Sequence, residues 1–89
     1  MNKEKYINVI VSKLQDTENK SFTFNDNTTL NLWVSGEVVE HKLETIYLNE
    51  HNEVVIATSA DVWGTMIDLL EEFSIEEIKD ITDIFISQF

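Results

Sequence analysis

The sequence predicts an α+β domain with an N-terminal helix, a three- to four-stranded antiparallel β-meander and two C-terminal helices packed on the sheet. Apolar residues recur every three or four positions at both ends of the chain, and the period changes to about two between residues 21 and 58. Short polar turns separate the strand-like segments. With 89 residues, the chain is expected to form a single domain over residues 1–89.

The first helix is predicted over residues 3–15. Tyr6, Val9, Ile10 and Leu14 are three or four positions apart, so they form one apolar stripe. The polar segment 16–20 then ends the helix and begins a loop.

Four segments have strand character, namely 21–24, 30–34, a stretch within 38–48, and 54–58. Turn chemistry lies between them at 25–27, 35–36 and 49–52, where Asn, Asp, Ser and Gly are frequent. Because the turns are short, consecutive strands are expected to pair in antiparallel fashion as a meander.

Two helices are predicted over residues 59–89. Ser59 or Asp61 is the expected cap of the first, whose wide apolar face comprises Val62, Met66, Ile67, Leu69, Leu70 and Phe73. The second begins at Ser74, because the hydroxyl of Ser74 and the carboxylate of Glu77 are spaced as in a capping box. Its apolar stripe comprises Ile75, Ile78, Ile81, Phe85 and Phe89, with Ile84 beside it.

Nothing in the sequence indicates catalysis or a cofactor. The chain lacks cysteine and arginine, and it has no Gly-rich phosphate loop and no Gly-x-Ser-x-Gly motif. His41 and His51 show no triad spacing. On a strand, His41 points away from Glu40 and Glu44, so no metal site is expected either. We therefore expect no enzyme activity, no catalytic residues, no cofactor and no metal.

The N-terminal residues lack the apolar core of a secretory signal, and no apolar run approaches the ~20 residues that span a bilayer. These features predict a soluble, cytoplasmic protein.

Negative charge is the most informative feature, because it is unevenly distributed. The formal net charge is −11. Residues 1–20 contribute +1, residues 21–58 contribute −5, and residues 59–89 contribute −7 with Lys79 as their one basic residue. The C-terminal helices therefore carry most of the excess.

The acidic residues of these helices recur at helical spacing. Glu76, Asp80 and Asp83 share one helix face, and like charges at such spacings repel by a few tenths of a kcal/mol. Asp83 lies toward the unfavourable end of the helix dipole, with no lysine expected to compensate it. Helix stability alone does not favour this pattern. The predicted partner-binding face comprises Asp68, Glu71, Glu72, Glu76, Glu77, Asp80 and Asp83.

Two functions are compatible with this sequence. In the first, the acidic face docks on a basic protein surface, in the narrower case as a mimic of nucleic acid that inhibits a nucleic-acid-binding protein. Direct binding of nucleic acid or of an anionic membrane is not expected, because 17 acidic residues outnumber six lysines.

In the second, the protein self-associates as a homodimer through an apolar sheet face, and the charge serves solubility. Apolar residues occur at both odd- and even-numbered positions of the strands, which face opposite sides of the sheet. Some of them, such as Ile46 and Val55, are therefore expected to be exposed on the second face unless the N-terminal helix covers it. Trp33, in a strand, and Trp63, at a helix start, are expected to pack in the core rather than form an aromatic binding platform.

Overall fold

The computed structural model confirms the α+β class, with five strands rather than three or four. It describes residues 2–18, 20–25, 28–59 and 62–89, except for the side chains of Trp33 and Val34. Part of the predicted 25–27 turn and the proposed cap Asp61 therefore lie outside the described residues, as does the packing of the Trp33 side chain. The elements are α1 (Lys3–Asp16), β1 (Ser21–Thr23), β2 (Thr29–Val34), β3 (Glu37–Leu48), β4 (Val54–Thr58), β5 (Val62–Gly64), α2 (Met66–Glu72) and α3 (Ile75–Ser87).

The sheet is built around β3 and is not a simple meander. β4 pairs with one edge of β3, and β5 pairs with β4. β1 pairs with β3 rather than with its sequence neighbour β2, which pairs with an earlier part of the same strand. All of these pairings are antiparallel. The 12 residues of β3 are long enough to hold β1 and β2 one after the other along the same edge.

A register shift in β3 changes which residues face the core. Leu43 pairs with Thr58, but Thr45 pairs with the preceding residue, Ala57, so Glu44 is an extra residue in the strand. As a result, Leu43 before the shift and Ile46 after it are both fully buried in one core.

The expectation that Ile46 and Val55 are exposed on a second apolar face is wrong, and the bulge is the reason for Ile46, which it turns into the core. Ile46 is 0% exposed and Val55 is 4% exposed. The outward positions of this half of the sheet also include Tyr47 and Ala57, both half-buried. The second face therefore offers less accessible apolar surface than the strand sequences indicate.

The three helices share one core on one side of the sheet. Ile10 and Leu14 of α1 belong to the same buried cluster as Leu69 of α2 and Phe85 of α3. α1 packs against both α3 and the central strands. It therefore does not cover the second face of the sheet, which was the alternative that the sequence left open.

The predicted helix start at residue 59 or 61 is wrong, and so is the placement of Trp63 in a helix. Val62–Gly64 forms β5, and α2 begins only after Thr65. Ser59 lies in the sheet region, where its hydroxyl accepts a hydrogen bond from the Lys42 N–H at 3.1 Å. The Asp68 carboxylate instead completes the start of α2 by accepting from the Thr65 N–H at 3.2 Å.

Gly64 is required where β5 meets α2. A Cβ added at this position would lie 2.9 Å from the Cβ of Asp68, a separation that is too short for two carbon atoms. Glycine therefore lets the first turn of the helix approach the strand, as expected for a Gly at a close contact.

Asn49 organises the β3–β4 turn. Its side-chain oxygen accepts hydrogen bonds from the N–H groups of His51 and Glu53 at 2.9 and 3.0 Å. Its amide donates to the Glu53 carboxylate at 3.1 Å. Asn52 completes the turn at a φ of 61°, a conformation that Asn tolerates better than most residues.

We predict that Asn49→Ala lowers the free energy of unfolding by about 1–3 kcal/mol, because two turn N–H groups lose their acceptor. Urea denaturation followed by circular dichroism measures this change. His51→Ala is the matched control, since the His51 side chain is exposed and Ala retains the main-chain donor. Equal stability of the two variants would contradict the role assigned to Asn49.

We also predict that Gly64→Ala lowers the free energy of unfolding by about 1–3 kcal/mol through overpacking against Asp68. A double-mutant cycle with Asp68→Gly isolates this contact, because that change removes the opposing Cβ. The Ala substitution should cost less in the Asp68→Gly background. An unchanged cost would show that the destabilisation has another origin.

Candidate acidic docking site

The capping box predicted at Ser74 is confirmed and fixes the start of α3. The Ser74 hydroxyl accepts from the Glu77 N–H at 3.1 Å, and the Glu77 carboxylate accepts from the Ser74 N–H at 3.0 Å. Both bonds satisfy donors that a helix N-terminus otherwise leaves unpaired. Glu77 therefore has a structural role as well as a negative charge.

The inward face of α3 agrees with the predicted stripe only in its middle. Ile78, Ile81 and Phe85 are buried, whereas Ile75 at the start is 42% exposed and Phe89 beyond the end is 49% exposed. In α2, Ile67 is 57% exposed although it was assigned to the apolar face.

The outer face of α3 carries the predicted acidic row. Glu76, Asp80 and Asp83 are exposed. Contrary to expectation, a lysine compensates Asp83: the Lys79 ammonium group, one turn earlier in the helix, lies 3.6 Å from the Asp83 carboxylate. Both side chains of this pair are more than half exposed, so the pair is weak. The side chains of Glu76 and Asp80 have no hydrogen-bond or ion-pair partner among the described residues.

A groove of about 330 Å³ lies between α3 and β2. Leu30 and Leu32 of β2, together with Ile81 and Ile84 of α3, supply its apolar lining. Three of the seven predicted site residues lie along it: Glu77, Asp80 and Asp83. Among the described residues, no lysine lines the groove. The structure thus joins a negatively charged helix face to an apolar surface.

The strand beside the groove has one edge open. β2 pairs with β3, and within the described part of the chain no other strand pairs with it. The N–H of Leu43 in β3 donates to the carbonyl of Thr28, just before β2, at 2.9 Å. The even-numbered residues of β2 therefore direct their main-chain groups toward β3. In antiparallel pairing this direction alternates, so the N–H and C=O of Asn31 point to the open edge.

The acidic residues of α2 lie away from the groove. Asp68 is used in the start of its own helix, while Glu71 and Glu72 are exposed. None of the three lines the groove, and neither does Glu76. The seven residues predicted as one face therefore divide into the three that line the groove and four that do not.

The histidines show no arrangement typical of a metal or catalytic centre. His41 is 8% exposed, its Nδ1 lies 3.4 Å from the Thr58 hydroxyl, and its ring lies 5.4 Å from that of Trp63. Trp63 in turn stacks on Phe73 at 6.0 Å, so it packs against the core as expected. Across the described ranges, no group of three or more His, Cys, Asp or Glu side chains could hold a metal ion.

Within residues 2–18, 20–25, 28–59 and 62–89, no helix has the length and apolar character required to cross a membrane.

The chain matches no protein-family model, no curated protein and no solved structure. Function must therefore be argued from the geometry and chemistry of the site itself.

The sequence reasoning identified the acidic row but missed the groove and the open edge. A signal for the edge was present, because Thr29–Val34 contains no charged residue, no proline and no glycine. Such a segment has high strand propensity and none of the features that usually protect an edge strand from pairing.

We predict that Ser74→Ala lowers the free energy of unfolding by about 0.5–2 kcal/mol, because the Glu77 N–H loses its acceptor. Glu77→Gln is the matched comparison. Gln also completes a capping box, so this variant should retain most of the stability while removing one charge from the groove. Thermal and urea unfolding measure both effects. A larger loss for Glu77→Gln than for Ser74→Ala would contradict this assignment.

Proposed function

We propose that the protein is a non-enzymatic interaction module that docks a basic surface of a partner protein through α3 and the adjoining groove. One observation carries this proposal: Glu77, Asp80 and Asp83 line a partly apolar groove, and none of its described lining residues is a lysine. A partner that brings positive charge to this rim gains attraction, and burial of the apolar floor adds a contribution that salt does not screen.

The fold uses part of the negative charge and leaves part of it available. Glu77 is committed to the capping box, and Asp83 is near Lys79. Asp80 has neither kind of partner among the described residues. Asp80 is therefore the carboxylate that we expect to contribute most to recognition of a basic group.

The position of the charge favours α3 over α2 as the docking helix. Glu71 and Glu72 are exposed, but they line neither the groove beside α3 nor the smaller pocket of about 170 Å³ between α1 and α2. Exposed ion pairs contribute only about 0–1 kcal/mol each, so charge alone gives little affinity. Charge combined with a groove gives a defined site.

We predict that a lysine-rich peptide shifts the NMR signals of α3 and β2, and that this binding weakens strongly between about 20 and 300 mM salt because exposed charges are screened. The triple variant Glu77→Gln, Asp80→Asn, Asp83→Asn should bind about tenfold more weakly, on the basis of about 0.5 kcal/mol for each of three exposed pairs.

The matched control is the α2 variant Glu71→Gln, Glu72→Gln, which changes the net charge by a similar amount and leaves the groove intact. It should bind nearly as well as the unmodified protein. Equal losses in the two variants, or shifts spread evenly over all acidic residues, would show only general attraction between opposite charges and would contradict the proposal.

The narrower proposal, mimicry of nucleic acid, predicts in addition that the protein and a nucleic acid compete for the partner. A DNA- or RNA-binding protein captured by the acidic face should release it when the nucleic acid is added, because both ligands occupy the same basic groove. Simultaneous binding of the protein and the nucleic acid would reject mimicry while leaving docking in place.

A further inference from the structure

We propose that the groove binds an extended, basic segment of the partner, which adds to the open edge of β2 as a further strand. This inference rests on the proposed function, because it specifies the form of the basic partner for the same site. Strand addition is an established mode of peptide recognition, in which main-chain hydrogen bonds supply affinity and alternate side chains supply specificity.

The open edge determines the form of the occupant. Asn31 directs a main-chain donor and acceptor away from β3, and a neighbouring strand pairs with such groups at about 4.8 Å. A helix has no free main-chain groups along its length with which to do so. A strand is therefore the partner that matches this edge.

The charge determines the composition of the occupant. In an added strand, side chains on the same sheet face as Leu30 and Leu32 point toward the side on which α3 packs. A lysine at such a position can lay its aliphatic stem along Ile84 and place its ammonium group near Asp80 or Asp83. Alternate lysines on an extended chain therefore complement both the apolar lining and the acidic rim.

A second copy of this chain is the less suitable occupant. Pairing of two β2 edges would bring the groove carboxylates of both copies to the junction, and each chain carries a net charge of −11. Like charges juxtaposed across an interface are unfavourable. The acidic rim thus favours a basic strand and opposes self-pairing of an otherwise unprotected edge.

The test uses a seven-residue peptide of alternating lysine and threonine with blocked ends, titrated into the full chain and followed by NMR. The expected result is salt-sensitive binding, with the largest amide shift at Asn31 and further shifts along α3. A peptide of the same composition with its four lysines consecutive should bind at least about tenfold more weakly, because an extended strand then places only two of the four lysines on the face toward α3.

Two N-methylated peptides test the main-chain pairing directly. In an antiparallel addition, threonines opposite Asn31 exchange hydrogen bonds with it, so methylation of the threonine nitrogens should abolish binding and methylation of the lysine nitrogens should not. In a parallel addition the flanking lysines supply these bonds, and the result is reversed. Either selective loss supports strand addition, whereas equal effects of the two modifications overturn it.

Asn31→Pro supplies the corresponding change in the protein, with Asn31→Ala as its control. Proline removes the N–H that points to the open edge and is tolerated at such positions, while alanine retains the main chain. Binding should be lost in Asn31→Pro and retained in Asn31→Ala. If Asn31→Pro does not fold, the N-methylated peptides still test main-chain pairing at the edge of β2, because they are used with the unmodified protein.

The outcomes separate this inference from the proposed function. Salt-sensitive binding at α3 that is indifferent to N-methylation, with no shift at Asn31, would overturn strand addition and leave acidic docking supported. Absence of any salt-sensitive binding at α3 would overturn both. Pairing of two copies at β2, seen as a dimer by light scattering without peptide, would also overturn the inference.

Discussion

The antiparallel pairing of β3 is the constraint on which the rest of the structure depends. Its 12 residues extend over about 40 Å at the usual rise per residue, close to the longest dimension of the molecule at 38 Å. β1 and β2 occupy successive parts of one edge, and β4 occupies the other. Because β1 pairs with β3 rather than with β2, no strand among the described residues covers the outer edge of β2, and this edge stays open beside the groove.

The bulge at Glu44 allows both halves of this long strand to contribute side chains to a single core. A regular strand exposes alternate residues on opposite faces, so Leu43 and Ile46 would lie on different sides. The extra residue places both in the same cluster and leaves Thr45 and Tyr47 of the second half on the opposite face. The helices on one side of the sheet can therefore bury most of the apolar residues of β3.

Local chemistry made much of the fold predictable. The helical period of α1 and the Ser74–Glu77 capping box are decided within a few residues, and both appear in the structure. The predicted stripe of α1 is correct only in part, because Ile7, Ile10 and Leu14 are its buried residues whereas Tyr6 and Val9 are half-buried. β5 was missed because Val62 and Trp63 continue the apolar spacing of α2, so a helix pattern concealed a short strand. The spacing of Thr65 and Asp68, which is also typical of a helix start, was the signal that could have corrected this boundary.

The candidate site was predictable only in its charge. Helical spacing places Asp80 and Asp83 on one face whatever the tertiary structure. The groove depends on how α3 is placed beside β2, and these two segments are about 50 residues apart in the sequence, so no local pattern encodes their contact. The bulge could not be predicted from the sequence either. Apolar residues at both odd- and even-numbered positions are expected when both faces of a strand are apolar. They are equally expected when a bulge moves the inward-facing positions of one strand from odd to even numbers.

The carboxylates of α3 and the open edge of β2 are best explained together. An uncharged edge strand such as β2 is prone to pair with copies of itself, and proteins usually prevent this with charges, proline or a bulge on the strand. Here the strand has none of these among its six residues, and the nearby charges lie on α3 instead. Carboxylates on a neighbouring helix repel another acidic copy without blocking the main-chain groups of the edge. On the proposed function, this arrangement leaves the edge available to a basic strand, whereas a lysine within β2 would repel such a strand and a proline at Asn31 would remove a main-chain donor from the edge.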